Sequence, residues 1–394
     1  MQLVYFHRIG MVKDITVGSA SHVVEFTEAM KKLGHEVTIH PPLEYDIANN
    51  SARLKFLGAK LKQRIIYWIE EFRSILSNIS IFFESRKFLE RTPPDIIIIR
   101  YQLYHFATMV LARLKRVPAI LEINAPMAFE SRKFSKVYFQ LPFLAEWTEY
   151  LSLKLANAII TVSEELKEFY VRKGILSDKI FVVPNGANIE KFSPLSGNNV
   201  APDIKQTKNL VIGFVGTFNK WHGINTLGET IWKCSKLETR TEFLLIGDGP
   251  LKPDLEKYIN DHDLQNFVQF SGIVPHNQIP QYISAMDIVI APYPKLDFFY
   301  FSPLKIFEYM SSAKAIIAAR IGQVEELIQD GINGFLYEPD NQDELMSKLL
   351  ILVDDRSLRH KFGERARQTI LKNYTWDRNA EKISKICVTM LNGR

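Results

Sequence analysis

The sequence predicts an α/β fold made of two Rossmann-like, doubly wound domains. Short, fully apolar segments alternate with longer helical patterns along almost all of the 394 residues. Such segments are typical of strands that are buried on both faces of a parallel sheet. A polar stretch at residues 193–208, rich in Ser, Pro, Asn and Gly, separates two series of this kind. The length suits two domains, each large enough for its own hydrophobic core.

The first series begins with a βαβ unit. Strands are predicted at residues 3–6 and 36–40, with a helical pattern from about His22 to Leu33 between them. Gly34 ends that helix as a C-cap glycine does. A strand–helix–strand unit with short joints implies parallel pairing of its strands. Further strands are predicted at residues 95–99, 119–121, 158–162 and 181–183.

The second series repeats this alternation after the polar stretch. Its strands are predicted at residues 210–215, 243–246, 268–270, 288–290 and 315–318, and the tail from about Gln342 has a helical pattern. We therefore expect an N-terminal domain at 1–192, a linker at 193–208, a second domain at 209–372 and a final helix at 373–394. GT-B glycosyltransferases, sugar-nucleotide epimerases and periplasmic-type binding proteins all fit this order of elements.

Composition restricts the class of protein. The two cysteines, Cys234 and Cys387, lie far apart, which argues against a disulfide framework and favours a reducing cytoplasm. Neither a signal peptide nor an apolar run of 18 residues is visible in the sequence. Residues 1–200 carry 26 Lys and Arg against 20 Asp and Glu. That excess is too small and too mixed with acids to predict a nucleic-acid partner.

The most informative motif covers residues 301–310. Ser302 followed by Pro303 predicts a helix start, with Ser302 as the N-cap and Pro303 as the first helical residue. Lys305 then falls in the first turn, where the helix macrodipole disfavours a cation. A diphosphate bound at the same helix end accounts for this lysine, because amides at a helix N-terminus bind anions. Glu308, one turn further on, is placed to accept both hydroxyls of a ribose. An ordinary capped helix with a Lys–Glu surface pair is the alternative.

A second candidate is the glycine turn at Gly216. It follows a predicted strand directly, and a tight turn there allows backbone amides to approach a phosphate. Lys220 and His222 add charge and hydrogen-bonding capacity. The segment lacks the GxGxxG dinucleotide fingerprint, and a purely structural turn is the alternative.

In the first half of the chain, Glu122 and Asn124 follow a buried strand. They would lie at the carboxyl end of that strand, where open α/β sheets bind their ligands. We predict that they are catalytic residues, and a structural salt bridge or a helix start is the alternative for Glu122.

Two further patterns bear on metal and membrane binding. Asp261-His262-Asp263 has the DxD form, but it lies in polar surroundings between a helix and a strand, and we interpret it as a surface turn. No other cluster of metal-binding residue types is evident in the sequence, so no metal is expected. A basic amphipathic stretch at 53–72 is predicted either to contact an anionic membrane surface or to pack into the core. Its apolar residues are Leu54, Leu57, Leu61, Ile65, Trp68 and Phe72, and its basic residues are Arg53, Lys55, Lys60, Lys62 and Arg64.

In their order and spacing these features resemble the family 4 glycosyltransferases, which are retaining enzymes of GT-B fold. The resemblance covers nearly the whole chain and includes the Gly18 loop and residues 34–37, 162–163, 184–186, 247–250, 302–310 and 330–334. It implies two facing Rossmann-like domains, with a C-terminal helix that returns to the N-terminal one. It also implies a nucleoside diphosphate sugar as donor, with UDP as the expected nucleotide, and no bound metal or other cofactor. The nucleotide-sugar-binding residues that it implies are Gly18, Ser19, Gly216, Thr217, Lys220, His222, Ile273, Tyr300, Ser302, Pro303, Leu304, Lys305 and Glu308.

The sequence departs from the family pattern at three places. Tyr300 stands eight residues before Glu308, where the family usually has a glutamate that holds the donor sugar. Thr217 stands in place of an arginine, and Lys305 and Lys220 are expected to supply the charge, as in a subgroup with the pattern SPLKxxEYM. A histidine that is common in the family near Glu122 is absent.

The sequence therefore predicts a metal-independent, retaining hexosyltransferase. Its expected acceptor is a glycan, a glycolipid or a small molecule, and its expected location is the cytoplasm, with possible peripheral contact at the inner face of the membrane. A non-catalytic nucleotide-sugar-binding subunit and a GT-B epimerase are the alternative functions.

Overall fold

The computed structural model describes residues 1–7, 17–41, 60–133, 141–194, 201–204, 207–237 and 240–393. The chain divides into two compact units. Unit 1 contains Met1–Pro184 and Asn379–Arg394, and unit 2 contains Asn185–Arg378. Both are built on a six-stranded sheet in which every described strand pair is parallel. The α/β prediction of two doubly wound units is confirmed.

In unit 1 the apolar segments form the sheet as predicted. Its strands, in the spatial order β2-β1-β3-β4-β5-β6, are β1 (Gln2–Phe6), β2 (Glu36–His40), β3 (Ile96–Arg100), β4 (Ala119–Ile123), β5 (Ala158–Thr161) and β6 (Ile180–Val182). Its helices are α1 (Val17–Lys32), α2 (Lys60–Arg91), α3 (Ala107–Leu114), α4 (Met127–Lys133), α5 (Pro142–Leu155) and α6 (Glu164–Arg172), together with most of α14 (Trp376–Asn392). All residues of β4 and β5 are buried, because helices cover both faces of a parallel sheet.

Unit 2 has the same plan. Its strands, in the order β12-β11-β10-β7-β8-β9, are β7 (Leu210–Val215), β8 (Thr241–Ile246), β9 (Val268–Gly272), β10 (Ile288–Ala291), β11 (Ala315–Ala319) and β12 (Phe335–Tyr337). Its helices are α7 (Ile224–Ser235), α8 (Lys252–Asp261), α9 (Ile279–Ser284), α10 (Leu304–Ser311), α11 (Gln323–Leu327), α12 (Gln342–Asp354) and α13 (Arg356–Asn373). The strand order reverses between β7 and β10, and ligands bind at such a switch point in open α/β sheets.

The chain passes between the units at Pro184–Asn185 and again at Arg378–Asn379. The segment 193–208, predicted to be the linker, instead belongs to unit 2 in its described part. Ala201 is buried in the core of that unit, and the Tyr282 hydroxyl donates to both carboxylate oxygens of Asp203 at 2.8 and 2.9 Å. Polar composition alone did not reveal these long-range contacts.

The C-terminal helix α14 returns to unit 1. Asn379 donates a hydrogen bond of 2.7 Å to the carbonyl of Pro184, and His35 and Ser384 are joined at 2.8 Å. None of the helices within the described ranges combines the length and the apolar character needed to cross a membrane.

Candidate functional site

The switch point of unit 2 brings Gly216 and Lys305 together. Gly216 follows β7 directly with φ 152°, and Lys305 is the second residue of α10. A Cβ atom added to Gly216 would lie 2.5 Å from Lys305 Nζ, and side chains other than that of glycine rarely accompany its positive φ, so the turn and the end of the lysine side chain lie in close contact. The Tyr309 hydroxyl on α10 accepts a hydrogen bond of 2.6 Å from the amide of Val215, which fixes the helix against the end of β7.

Lys305 carries a buried charge without a matching anion. Its Nζ atom is buried and has no hydrogen-bond partner among the described residues. It lies 4.2 Å from the centre of the Phe214 ring and 5.6 Å from that of Tyr293. Burial lowers the pKa of Lys305 to about 7, although Glu308 opposes the shift. A buried ammonium is costly unless it is paired, so this position suits an anionic ligand.

The loop after Gly216 places polar groups beside Lys305. His222 Nδ1 donates to the carbonyl of Thr217 at 2.6 Å and lies 3.1 Å from Thr217 Oγ1. Burial lowers the pKa of His222 to about 3, and the charge of Lys305 adds to the shift, so the imidazole is neutral near pH 7. Lys220 and His222 belong to one short 3₁₀ turn, on which Lys220 is exposed. Gly216, Thr217, His222 and Lys305 therefore lie close together, and we call these four residues the cradle.

The prediction that Ser302 caps the helix is wrong. Helix α10 begins at Leu304, Pro303 is at its N-cap position, and no side chain caps it. The Ser302 hydroxyl accepts a hydrogen bond of 2.8 Å from the amide of Asn185, and Asn185 Nδ2 donates to the Ser302 carbonyl at 2.6 Å. Because its oxygens are used in these contacts, Ser302 instead ties the start of α10 to the segment that enters unit 2.

Glu308 lies deeper on α10 and is 7% exposed. Its Oε1 atom accepts a hydrogen bond of 2.7 Å from His276 Nε2. The role of His276 is not evident from the sequence, because nothing local connects the loop after β9 with α10. Ile273 belongs to the same loop and is 74% exposed. The carboxylate predicted to hold a ribose is thus oriented by a histidine.

Tyr300, which stands where the family pattern has a glutamate, is fully buried. Its ring centre lies 4.3 Å from that of Phe301 and 5.0 Å from that of Phe298. The segment before α10 is therefore an aromatic cluster, and Phe299 joins it to Tyr293 beside the cradle at 5.1 Å.

In unit 1 the predicted catalytic residue Glu122 is the centre of a buried hydrogen-bond network. Tyr5 donates to Oε2 at 2.8 Å, and Oε1 lies 2.8 Å from His22 Nε2 and 3.2 Å from Arg100 NH1. Asn124 Nδ2 also donates to Oε1 at 3.0 Å. Burial alone would raise the pKa of Glu122, but these neighbours, His22 above all, outweigh it and lower the pKa to about 2. Glu122 is therefore an ionised anchor that orients His22, which the sequence analysis did not single out.

Gly18 and Ser19 lie within the first turn of α1, not in a loop before it. Because both residue types have weak helix propensity, the sequence pattern placed the start of α1 too late. Asp261 and Asp263 are exposed at the end of α8, and Asp263 adopts the left-handed φ of 57° that suits a turn.

Two family models match the chain. "Glycosyltransferase Family 4" matches residues 17–191, and "Glycosyl transferases group 1" matches residues 198–369. The alpha-D-kanosaminyltransferase of Streptomyces kanamyceticus is 22% identical, over 71% of this chain and 73% of that protein. The Escherichia coli UDP-Gal:alpha-D-GlcNAc-diphosphoundecaprenol alpha-1,3-galactosyltransferase is 24% identical, over 88% and 86% respectively.

Solved structures agree with the fold. Sucrose-phosphate synthase from Thermosynechococcus elongatus has a TM-score of 0.73 at 15% identity, with all of both chains covered. Anabaena HepE in complex with UDP has a TM-score of 0.70 at 17% identity, over 99% of this chain and 100% of that one. These likenesses establish the GT-B fold, and the family models extend over both halves of the chain. The chain is a member of glycosyltransferase family 4.

Proposed function

We propose that the chain transfers a sugar from a nucleoside diphosphate sugar that binds at the switch point of unit 2. The observation that carries this proposal is the buried ammonium of Lys305, which has no anionic partner within hydrogen-bond distance in the described chain and lies against the Gly216 turn. A diphosphate would supply that anion. Glu308, one turn further along α10, would accept the ribose hydroxyls.

We propose UDP as the nucleotide. The support comes from relatives: a solved structure of Anabaena HepE holds UDP, and the name of the Escherichia coli relative specifies UDP-Gal.

Metal independence is part of the proposal. The Lys305 ammonium would neutralise the diphosphate in the way that a divalent cation does in other transferases. Retention of the anomeric configuration is proposed from the family resemblance alone.

The acceptor is proposed to be a glycan, a glycolipid or a small molecule, and we propose contact with an anionic membrane. The predicted stretch 53–72 lies partly outside the described residues. The described end of this stretch belongs to α2, where a row of apolar side chains is exposed. We call this row the α2 stripe, and it consists of Ile69, Phe72, Leu76, Ile79 and Phe83. Exposed Arg73, Arg86 and Lys87 on the same helix would favour anionic lipids.

Sedimentation with phosphatidylglycerol vesicles at low salt tests this contact. The wild type should pellet, and the double variant Ile79→Ser/Phe83→Ser should not. Ile351→Ser changes an exposed residue of α12 and serves as the control. Equal sedimentation of wild type and double variant would exclude the α2 stripe as the membrane-binding surface.

The function itself is tested by incubating the chain with UDP-sugars and measuring release of UDP and of free sugar. Slow hydrolysis that Lys305→Met abolishes is expected. Binding of UDP without any hydrolysis would favour a non-catalytic binding subunit, and conversion of the UDP-sugar into its epimer would favour an epimerase.

A further inference from the structure

Tyr293 lies close to Lys305 and His222, two residues of the candidate nucleotide site. It lies two residues beyond the end of β10, at the same switch point of the sheet. Its ring lies between three groups of the candidate site, 5.6 Å from Lys305 Nζ, 6.0 Å from the His222 ring and 5.1 Å from the Phe299 ring. The sequence analysis did not single it out, because a tyrosine after a strand is common in ordinary cores.

The hydroxyl of Tyr293 is the informative atom. The residue is 3% exposed, and the hydroxyl has no hydrogen-bond partner in the described part of the chain. The nearby Tyr309 makes a useful comparison. Burial raises the pKa of Tyr309, and Tyr293 and Glu308 add to the shift. The Tyr309 hydroxyl accepts a hydrogen bond from the Val215 amide, whereas no described residue forms a hydrogen bond with that of Tyr293.

The ammonium of Lys305 and the hydroxyl of Tyr293 are therefore two buried polar groups without hydrogen-bond partners among the described residues, and the ammonium lies 5.6 Å from the centre of the Tyr293 ring. Buried hydroxyls and amines in native proteins nearly always have a partner, and each exception calls for an explanation. Burial raises the pKa of Tyr293, so its hydroxyl keeps its proton and acts as a donor at neutral pH. A single ligand that satisfies both donors must present an anionic oxygen to the ammonium and an acceptor oxygen, the same one or a second, to the hydroxyl.

We propose that the Tyr293 hydroxyl donates a hydrogen bond to a non-bridging oxygen of the diphosphate, beside the Lys305 ammonium. This inference rests on the proposed function and adds a binding residue to it. Tyr293 would work together with the charge of Lys305, because hydrogen bonds to an ionised acceptor are shorter and stronger than neutral ones. The backbone position of Tyr293 is set by contact with the Gly216–Gly223 loop, since a Cβ added to Gly223 would lie 1.5 Å from the Pro292 carbonyl oxygen.

Calorimetry with Tyr293→Phe tests this role. The substitution removes only the hydroxyl. The wild type is first titrated with UDP, GDP, ADP and dTDP, and the nucleotide that it binds most tightly is then used with the variant. We expect Tyr293→Phe to lower the affinity for that nucleotide by roughly 10- to 150-fold, which is the factor that corresponds to one hydrogen bond to a charged group. Binding of the corresponding nucleoside, which lacks the diphosphate, should not change.

Tyr337→Phe is the matched control. The Tyr337 hydroxyl is also buried and without a partner among the described residues, but β12 lies two strands, or about 10 Å, from β10, the strand that leads to Tyr293. Tyr337→Phe should bind the nucleotide as the wild type does, and both variants should keep the wild-type thermal midpoint. Wild-type affinity in Tyr293→Phe, or an equal loss in Tyr337→Phe, would overturn the inference while leaving the proposed function intact. Failure of the wild type to bind any of the four nucleotides would contradict the proposed function and the inference together.

Discussion

Raising the pH should weaken nucleotide binding through the titration of Lys305. Burial lowers the pKa of this lysine from 10.5 to about 7 in the free protein. A bound diphosphate favours the charged form, so the pKa in the complex lies higher. Below pH 7 the lysine is charged in both states and affinity does not depend on its titration. Above pH 7 the free protein loses the proton that the complex keeps, and affinity falls.

The size of the loss in affinity follows from the difference between the pKa of Lys305 in the free protein and its pKa in the complex. Affinity should fall by about tenfold per pH unit above 7 until the pKa of the complex is reached. While the pKa of the complex stays above 9, the loss between pH 7 and pH 9 is roughly 50-fold. At pH 8 about 0.9 proton should be taken up on binding, because only about a tenth of the free lysine is then charged.

Calorimetry in buffers of different ionisation enthalpy measures this uptake directly. At pH 8 the terminal phosphate of the nucleotide contributes little, since its second pKa is about 6. Lys305→Met should bind weakly, with no dependence on pH. Lys314 is a matched control, because burial lowers its pKa to about 8 while its ammonium donates to the carbonyls of Ser284 and Met286 at 2.9 and 2.7 Å. The reasoning is refuted if binding takes up no proton at pH 8, or if Lys314→Met removes the uptake.

Three further predictions concern the carboxylates. Glu308→Gln should weaken nucleotide and nucleoside binding alike by at least about tenfold, and calorimetry showing normal nucleoside affinity would place the ribose elsewhere. The double variant Asp261→Asn/Asp263→Asn, and treatment of the wild type with EDTA, should leave UDP-sugar hydrolysis unchanged; loss of activity in either would contradict the metal-free proposal. Glu122→Gln should lower the free energy of unfolding of unit 1 by about 3–5 kcal/mol in urea titrations, because it removes the charge that His22 and Arg100 share. UDP affinity should survive that change, and a stable variant would refute the anchoring role of Glu122.

The fold could be predicted from the sequence because its signal is local. The apolar segment at 95–99 corresponds to β3 (Ile96–Arg100), since a strand buried on both faces has few polar positions. Strand β12 (Phe335–Tyr337) was not predicted from the sequence. The linker was misplaced because the contacts of Asp203 with Tyr282 join residues that are 79 positions apart.

Residues of the candidate site could be predicted only where a local sequence pattern indicated their role. Gly216 and Lys305 were recognised from a strand-to-turn junction and from a cation at a helix start. The capping role of Ser302 was wrong because its competing partner, Asn185, lies 117 residues away. His276 and Tyr293 were missed for the same reason, since their significance arises only when the loops after β9 and β10 are folded against α10.

Hydrogen–deuterium exchange with and without saturating UDP tests the central claim most directly. The account predicts slower exchange of backbone amides at residues 216–223 and 304–308 of unit 2, and no slowing at those sites in Lys305→Met at the same UDP concentration. Protection that appears only outside those two segments, or that persists unchanged in Lys305→Met, would contradict a nucleotide site at the switch point between β7 and β10.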